Sequence, residues 1–453
     1  MARRPVDPVD NLWLNMDRAD NLMVIESLMM LADPPDWDRF LEVLERRVVE
    51  RYPVFRQRAV TGRLPLTRSH WEDDPDFALD RHVHHATLTG AGDDVALQHY
   101  VDAHISTPLP RDRPLWEIHL VDGYGDGAAV YTRLHHALAD GIALTRVLLS
   151  LTDETPDADV EGPSPMATRR DGLTATAVHL ARSTGTTLLD ARHLLTSEHL
   201  GDVGTLARQT TGITTKLLFT RNPHSPVTGH PEVSKRAVWA PPVPLADVAE
   251  AGRRTGTTVN DVLVAALAGA LASYITSHGG EPVDIPTMVP VNLRPLDEPL
   301  PRDLGNRFAL VLLSLPSGLD TPFARLAETK RRMDAIKHSP EAILTFGLIG
   351  GIGRAAPDVE RLAVDFFANK ASGVTTNVPG PRTTRYVAGT RITGLLGWAP
   401  ESGEQTLGTA IFSYDGSVFV GFKVDTQVVH DPEGLVAAFL DELGELCHLA
   451  GVG

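Results

Sequence analysis

Residues 258–275 read TVNDVLVAALAGALASYI, and apolar side chains run almost all round any helix built on them. Such a helix loses stability wherever a face meets water, so it has to lie inside a core. Other elements must cover it on every side, which a small domain cannot supply. Thr258 or Asn260 is placed to cap its start, and Asp261 is a first-turn acid favoured by the helix dipole. The chain has 453 residues, 42% of them hydrophobic, enough for two lobes with cores of their own. Strand-like runs follow at 284–290, 308–315, 374–378, 409–414 and 417–424. PEGLVAAFLDELGELCHLA then closes the chain as an amphipathic helix.

The N-terminal part mixes helix and strand in the same way. DWDRFLEVLERRVVERYPVF predicts a helix with Phe40, Leu41, Leu44 and Val48 on one face, capped by Asp36 or Asp38 and stopped at Tyr52-Pro53. AAVYTRL (128–134) predicts a strand and GIALTRVLLSL (141–151) a helix. Residues 152–172 are rich in Asp, Pro and Gly and read as a loop. Residues 173–222 return to helical character, with Arg182, Arg192, Arg208, Lys216 and Arg221 among leucine-rich patches. That segment fits either a lipid-facing amphipathic surface or a helix pair between lobes. The expected architecture is α/β in two lobes, 1–160 and 236–453, joined by a linker and helical segment at 161–235.

Charge and composition remove several function classes. A formal net charge of −16 argues against nucleic acid as a partner, because phosphate binding needs a basic face. One cysteine, Cys447, rules out a disulfide or thiolate metal cluster within the chain and fits a reducing cytoplasm. The start, MARRPVDPVDNLWLNMD, lacks the apolar core of a signal peptide. No run of about 18 charge-free apolar residues occurs, so no membrane span is expected. G-x-S-x-G, C-x-x-C, H-E-x-x-H and G-x-x-x-x-G-K-[ST] are all missing, and no metal site is expected. GIGRAA (351–356) has no strand before it and reads as a turn rather than a dinucleotide fingerprint.

The histidines remain. His84-His85 has no carboxylate four residues on and reads as strand or loop surface. TRLHHALADGIAL (132–144) is different: His135 and His136 end an apolar strand, and Asp140 and Gly141 open a helix. Neighbouring side chains on a strand point to opposite faces, so one imidazole can face a channel while the other packs inward. Imidazole suits a general base near neutral pH. With no enzyme nucleophile beside it, such a base would activate the substrate's own hydroxyl or thiol. A purely structural histidine pair fits the same residues. Asp140 reads as a brace, capping the helix or pairing with a cation such as Arg294. Gly141 gives clearance for substrate or a strained backbone angle.

HHALADG (135–141) resembles the HHxxxDG motif of the CoA-dependent acyltransferase superfamily, which includes chloramphenicol acetyltransferase and peptide-synthetase condensation domains. RPLWEIHLVDG, GTTVNDVLVAALAGAL, VPVNLRP, LGNRFALVLLSLP, TNVPGP and SYDGSVFVGFKVD resemble, in order, segments of the bacterial wax ester synthase/acyl-CoA:diacylglycerol acyltransferase family. The resemblance spans nearly the whole chain. It implies a two-lobe fold of the chloramphenicol acetyltransferase type with an active-site tunnel between the lobes. It implies His136 as the base that activates diacylglycerol or a long-chain alcohol against long-chain acyl-CoA, with no cofactor. His135, Asp140, Gly141 and Arg294 would support it. Backbone N–H groups near Gly141, or Asn377 or Ser413, would serve the oxyanion, and Trp116 and Asn260 would lie by the tunnel. A specialised-metabolite acceptor, or a non-catalytic lipid- or CoA-binding role, are the competing readings. Peripheral contact with a membrane or lipid inclusion is a further expectation. Departures from the family pattern fall at PVDNLW, at NLMVIE and at Gly408, where the family usually carries Asn.

Overall fold

The computed structural model describes residues 3–61, 69–160, 222–293, 298–337, 339, 341–352 and 369–452. The N-terminal half runs β1 (Arg3–Pro5), α1 (Pro8–Met16), β2 (Val24–Leu31), α2 (Trp37–Leu44), β3 (Gln57–Val60), β4 (His70–Asp73), β5 (Val83–Thr87), α3 (Asp94–Ile105), β6 (Trp116–Tyr124), β7 (Gly127–His135), α4 (Gly141–Leu149) and β8 (Thr152–Asp153). The C-terminal half runs β9 (Lys235–Trp239), β10 (Val243–Pro244), α5 (Leu245–Thr255), α6 (Val259–Ser277), β11 (Ile285–Asn292), β12 (Phe308–Leu315), α7 (Pro322–Lys337) and α8 (Glu341–Ile352). It continues with β13 (Gly373–Pro379), β14 (Tyr386–Val387), β15 (Thr390–Trp398), β16 (Leu407–Tyr414), β17 (Ser417–Asp425) and α9 (Pro432–Leu449).

Each lobe is built on a mixed sheet. The first has the order β5-β6-β7-β2-β15-β14-β8, the second β10-β17-β16-β13-β11-β12 with β9 also on β17. The lobes are not two consecutive pieces of chain. β15, from the C-terminal half, pairs antiparallel with β2 in the middle of the first sheet, so residues within 236–453 complete the other lobe. β15 then returns the chain directly to β16 of the second sheet, which ties the lobes through backbone as well as side chains.

The all-apolar helix is buried as its composition requires. α6 lies among α5, α7 and α9, and its residues from Val259 to Ala272 are buried throughout. By length and composition it could cross a bilayer, but its faces are spent on this core. Thr258 caps it in a capping box: its hydroxyl accepts from Asp261 N at 3.1 Å, while Asp261 accepts from Thr258 N at 3.0 Å. Gly269 lets α9 come close, since a Cβ there would lie 2.1 Å from Glu442 Cδ. Glu442 in turn holds Arg325 of α7 at 2.7 Å, so three helices meet at one buried ion pair.

The expected long helix after Asp36 is shorter than its pattern. Asp36 caps α2 through Arg39 N at 2.8 Å, but regular α geometry ends at Leu44 and a π-helical turn covers Glu45–Val49. Widening that turn carries Val48 and Val49 both into the core. Arg294 and the segment around 173–221 with its arginines lie outside the described residues, as does most of GIGRAA; Gly351 and Ile352 end α8.

Candidate active site

β7 delivers the two histidines. Every residue of β7 is buried, and its partners β6 and β2 hold it on both sides. At its end His135 N donates to Leu115 O at 3.0 Å and His136 N to Met23 O at 2.8 Å. The PLW segment therefore fixes the histidine turn through the Leu115 carbonyl. Trp116 itself is not a tunnel wall: it is 1% exposed, its indole donates to Phe55 O at 2.9 Å, and it stacks on His82 at 4.5 Å. A large ring with its one donor satisfied belongs to the core.

The two imidazoles divide their surroundings. His135 Nδ1 accepts from Ala137 N at 3.0 Å, and its Nε2 lies 3.7 Å from Asp17 Oδ2. Asp17 also accepts from Met23 N at 2.8 Å and from Arg111 at 2.6 Å, so His135 is locked into a structural network. Burial lowers the His135 pKa, partly opposed by Asp17. The His136 ring stacks on Trp13 of α1, with centroids 4.1 Å apart, and lies 5.3 Å from Phe308 of the second lobe. Its Nδ1 is buried without a hydrogen-bond partner. Burial pushes its pKa down to about 3, so the ring is a neutral base throughout the working range. His136 is 6% exposed.

Asp140 acts on both lobes. One carboxylate oxygen accepts from Ala143 N at 2.8 Å and caps α4; the other accepts from Arg307 N at 2.9 Å across the junction. Among the described residues, Asp140 is thus held by backbone N–H groups from both lobes. Next to it, Asn306 donates to His136 O at 2.8 Å and to Asp10 Oδ1 at 2.8 Å. Asp140→Ala removes the cap and strands a backbone donor. A loss of about 2–3 kcal/mol in urea unfolding is expected, with Asp140→Asn milder because it keeps one acceptor. Gly141 has no left-handed angle, so the strained backbone is not found, and a Cβ there would meet nothing within 4 Å.

Asn260 and Asn377 are brought together: Asn377 Nδ2 donates to Asn260 Oδ1 at 2.8 Å. Asn260 is therefore a partner of β13 rather than the cap of α6. Ser413 is not beside Asn377: on the neighbouring strand Asn377 faces Ile411, and Ser413 pairs with Pro379, two residues on. The residues that hold His136 in place and were not singled out as site residues from the sequence are Trp13, Asp10, Asn306 and Phe308. Trp13 sits inside the divergent NLWLNMD, and Asn306 and Phe308 inside LGNRF.

Asp10 carries a testable consequence. Burial, opposed by the Asn306 hydrogen bonds, raises its pKa from 3.8 to about 7. Between those values the native state holds a proton that the unfolded chain releases, so stability falls as pH rises through that window. Asp10→Asn keeps an acceptor for Asn306 and abolishes the titration. Relative to wild type it should gain about 2 kcal/mol in urea unfolding between pH 5 and pH 8.

The wax ester synthase/diacylglycerol acyltransferase catalytic domain matches residues 6–263, and the C-terminal domain of the same family matches 304–447. The chain belongs to the wax ester synthase/diacylglycerol acyltransferase family. A Mycobacterium tuberculosis protein named a "probable" diacylglycerol O-acyltransferase is 28% identical over 432 residues, covering 94% of this chain and 91% of its own length. The solved wax ester synthase/diacylglycerol acyltransferase of Marinobacter aquaeolei VT8 superposes with a TM-score of 0.70 at 23% identity, covering 99% of this chain and 100% of that one. The first condensation domain of the calcium-dependent antibiotic synthetase gives 0.61 at 18% identity, covering 99% and 96%. At those identities the two likenesses speak for the fold. This family member keeps the family's two-lobe α/β architecture, with its HHxxxDG turn held at the lobe junction by Asn306 and Arg307.

Proposed function

We propose that the chain transfers a long-chain acyl group from acyl-CoA to the free hydroxyl of diacylglycerol, making triacylglycerol, with long-chain alcohols as second acceptors. The observation that carries the reading is His136, a neutral imidazole pinned at the lobe junction of a wax ester synthase/diacylglycerol acyltransferase family member. Its neutral ring takes the hydroxyl proton as the oxygen attacks the thioester carbonyl. The new C–O bond forms, the C–S bond breaks, and the imidazolium returns the proton to the departing thiolate. No covalent acyl-enzyme is needed. The one cysteine, Cys447, sits on α9 with its thiol pKa raised by burial, and no serine elbow occurs.

Asn377 or Ser413, and backbone N–H groups at Gly141, remain the candidate donors for the oxyanion. Arg294 keeps a supporting role in this reading. The cytoplasmic face of a membrane, or a lipid inclusion, is the natural place for both substrates. The test supplies purified protein with palmitoyl-CoA and either diolein or hexadecanol, following CoA release and the ester formed. Release of CoA with triacylglycerol as product is expected. No release with either acceptor overturns the reading.

A further inference from the structure

We propose that His84, Glu117 and His119 form a binding site for a borderline divalent transition-metal ion, Zn2+ foremost, on the outer part of the first sheet. The site uses none of the residues around His136. β5 and β6 run parallel, and their register sets His84 directly beside His119. Glu117 stands two residues before His119, so strand alternation puts all three on one face. Their ligand atoms lie within 4.8 Å of one another, and His119 Nε2 is 3.9 Å from Glu117 Oε2. Zinc bonds of about 2.0–2.2 Å to nitrogen and oxygen call for tighter spacing, which rotation of the half-buried His84 side chain toward Glu117 and His119 would supply.

The surroundings are those of a ligand set. His119 is 4% exposed, and its Nε2 is buried with no hydrogen-bond partner. A buried, unpartnered ring nitrogen costs free energy unless something fills its place. Its other nitrogen, Nδ1, is bonded to Tyr100 Oη at 2.8 Å. With Nδ1–H donated to the phenol, the Nε2 lone pair points at Glu117; such an outer partner is what orients a metal-bound histidine. Burial lowers the His119 pKa and so keeps that lone pair free. Arg133 brings positive charge to Glu117 and is among the groups that lower its pKa against the opposing effect of burial. Arg133 holds one carboxylate oxygen at 3.1 Å and fixes its direction. His104 adds a further imidazole, its ring 4.7 Å from that of His119 and its Nδ1 donated to Tyr100 O at 2.8 Å.

Two imidazoles and one carboxylate suit Zn2+ and its neighbours rather than Mg2+ or Ca2+, which prefer all-oxygen sets. β5 is the outermost strand of its sheet, so an ion here ties an edge strand to β6. The test uses the full-length protein after dialysis against a chelator. Co2+ should give a visible absorption band, lost on adding one equivalent of Zn2+. Calorimetry should show one Zn2+ per chain, bound at least tenfold more weakly by His84→Ala and by Glu117→Gln. Zn2+, but not Mg2+, should raise the melting temperature of the wild type alone. His84 is only half-buried, so its variant should keep the wild-type circular dichroism. Equal Zn2+ affinity in wild type and both variants overturns the site, as does a wild type that binds no Zn2+.

Discussion

His136→Ala is expected to lower kcat by about a thousandfold while leaving acyl-CoA binding near its wild-type strength. A positioned general base typically contributes 10²- to 10⁴-fold, and here the substrate brings its own nucleophile, so little else can substitute. The loss should fall on kcat because the imidazole acts on the proton as the C–O bond forms, not on the bound ground state. His135→Ala provides the contrast. His135 is spent on Ala137 N and Asp17, so its removal should lower stability and reduce activity through misplacement of the turn. A His136→Ala protein that folds normally and keeps more than a tenth of the activity removes His136 from the chemistry.

The pH profile follows from the same burial. An isolated histidine titrates near 6.5, and a catalytic base of that kind loses activity as pH falls through it. His136 is held down to about 3, chiefly by burial. Its lone pair is therefore present above that value, and the acid limb of kcat/KM should lie below pH 5. Trp13 and Phe308 are the physical cause, since they take water away from the ring. Replacing Trp13 with alanine should move the limb upward toward 6.5. An unchanged limb would separate the titration from the aromatic cover.

What was legible in the sequence depended on how local its cause is. The burial of α6 follows from its own side chains, and the strand into His135 from seven consecutive residues. The capping role of Asp140 follows from its place before Gly141. Three things were not local. Asn306 meets His136 from 170 positions away and Asp10 from 296, and no spacing rule reaches across lobes. β15 joins the first sheet from the far end of the chain, which neither its composition nor its length reveals. The departure at Gly408 has a partner that sequence alone hides: a Cβ there would lie 2.6 Å from Glu401 Oε1. The space an asparagine would take is filled by a buried carboxylate. His84 looked like half of an unremarkable surface pair until the parallel register set it beside His119.

That buried carboxylate belongs to the cluster with the largest expected effect on stability. Lys423 of β17 lies 3.4 Å from Glu26 of β2 and 3.7 Å from Glu401, and all three are at most 4% exposed. β17 belongs to the second sheet and β2 to the first, so the cation pins one lobe to the other. Burial pushes the Glu401 pKa up to about 7 and raises that of Glu26, with Lys423 opposing both. Lys423→Met strands two carboxylates in the interior. Breaking a buried pair in this way costs about 3–5 kcal/mol, more than burying a well-packed apolar side chain returns. The cost should depend on pH with a definite sign. Without the lysine both carboxyl groups are protonated more readily in the native state, so stability falls as pH rises through their raised values. Urea unfolding should therefore show the deficit in full at pH 8 and much reduced at pH 5. Adding Glu26→Gln and Glu401→Gln to Lys423→Met removes the stranded charges and should restore most of the loss at pH 8. A deficit that is equal at both pH values, or that the glutamines leave untouched, would mean that the lysine stabilises by packing rather than by charge.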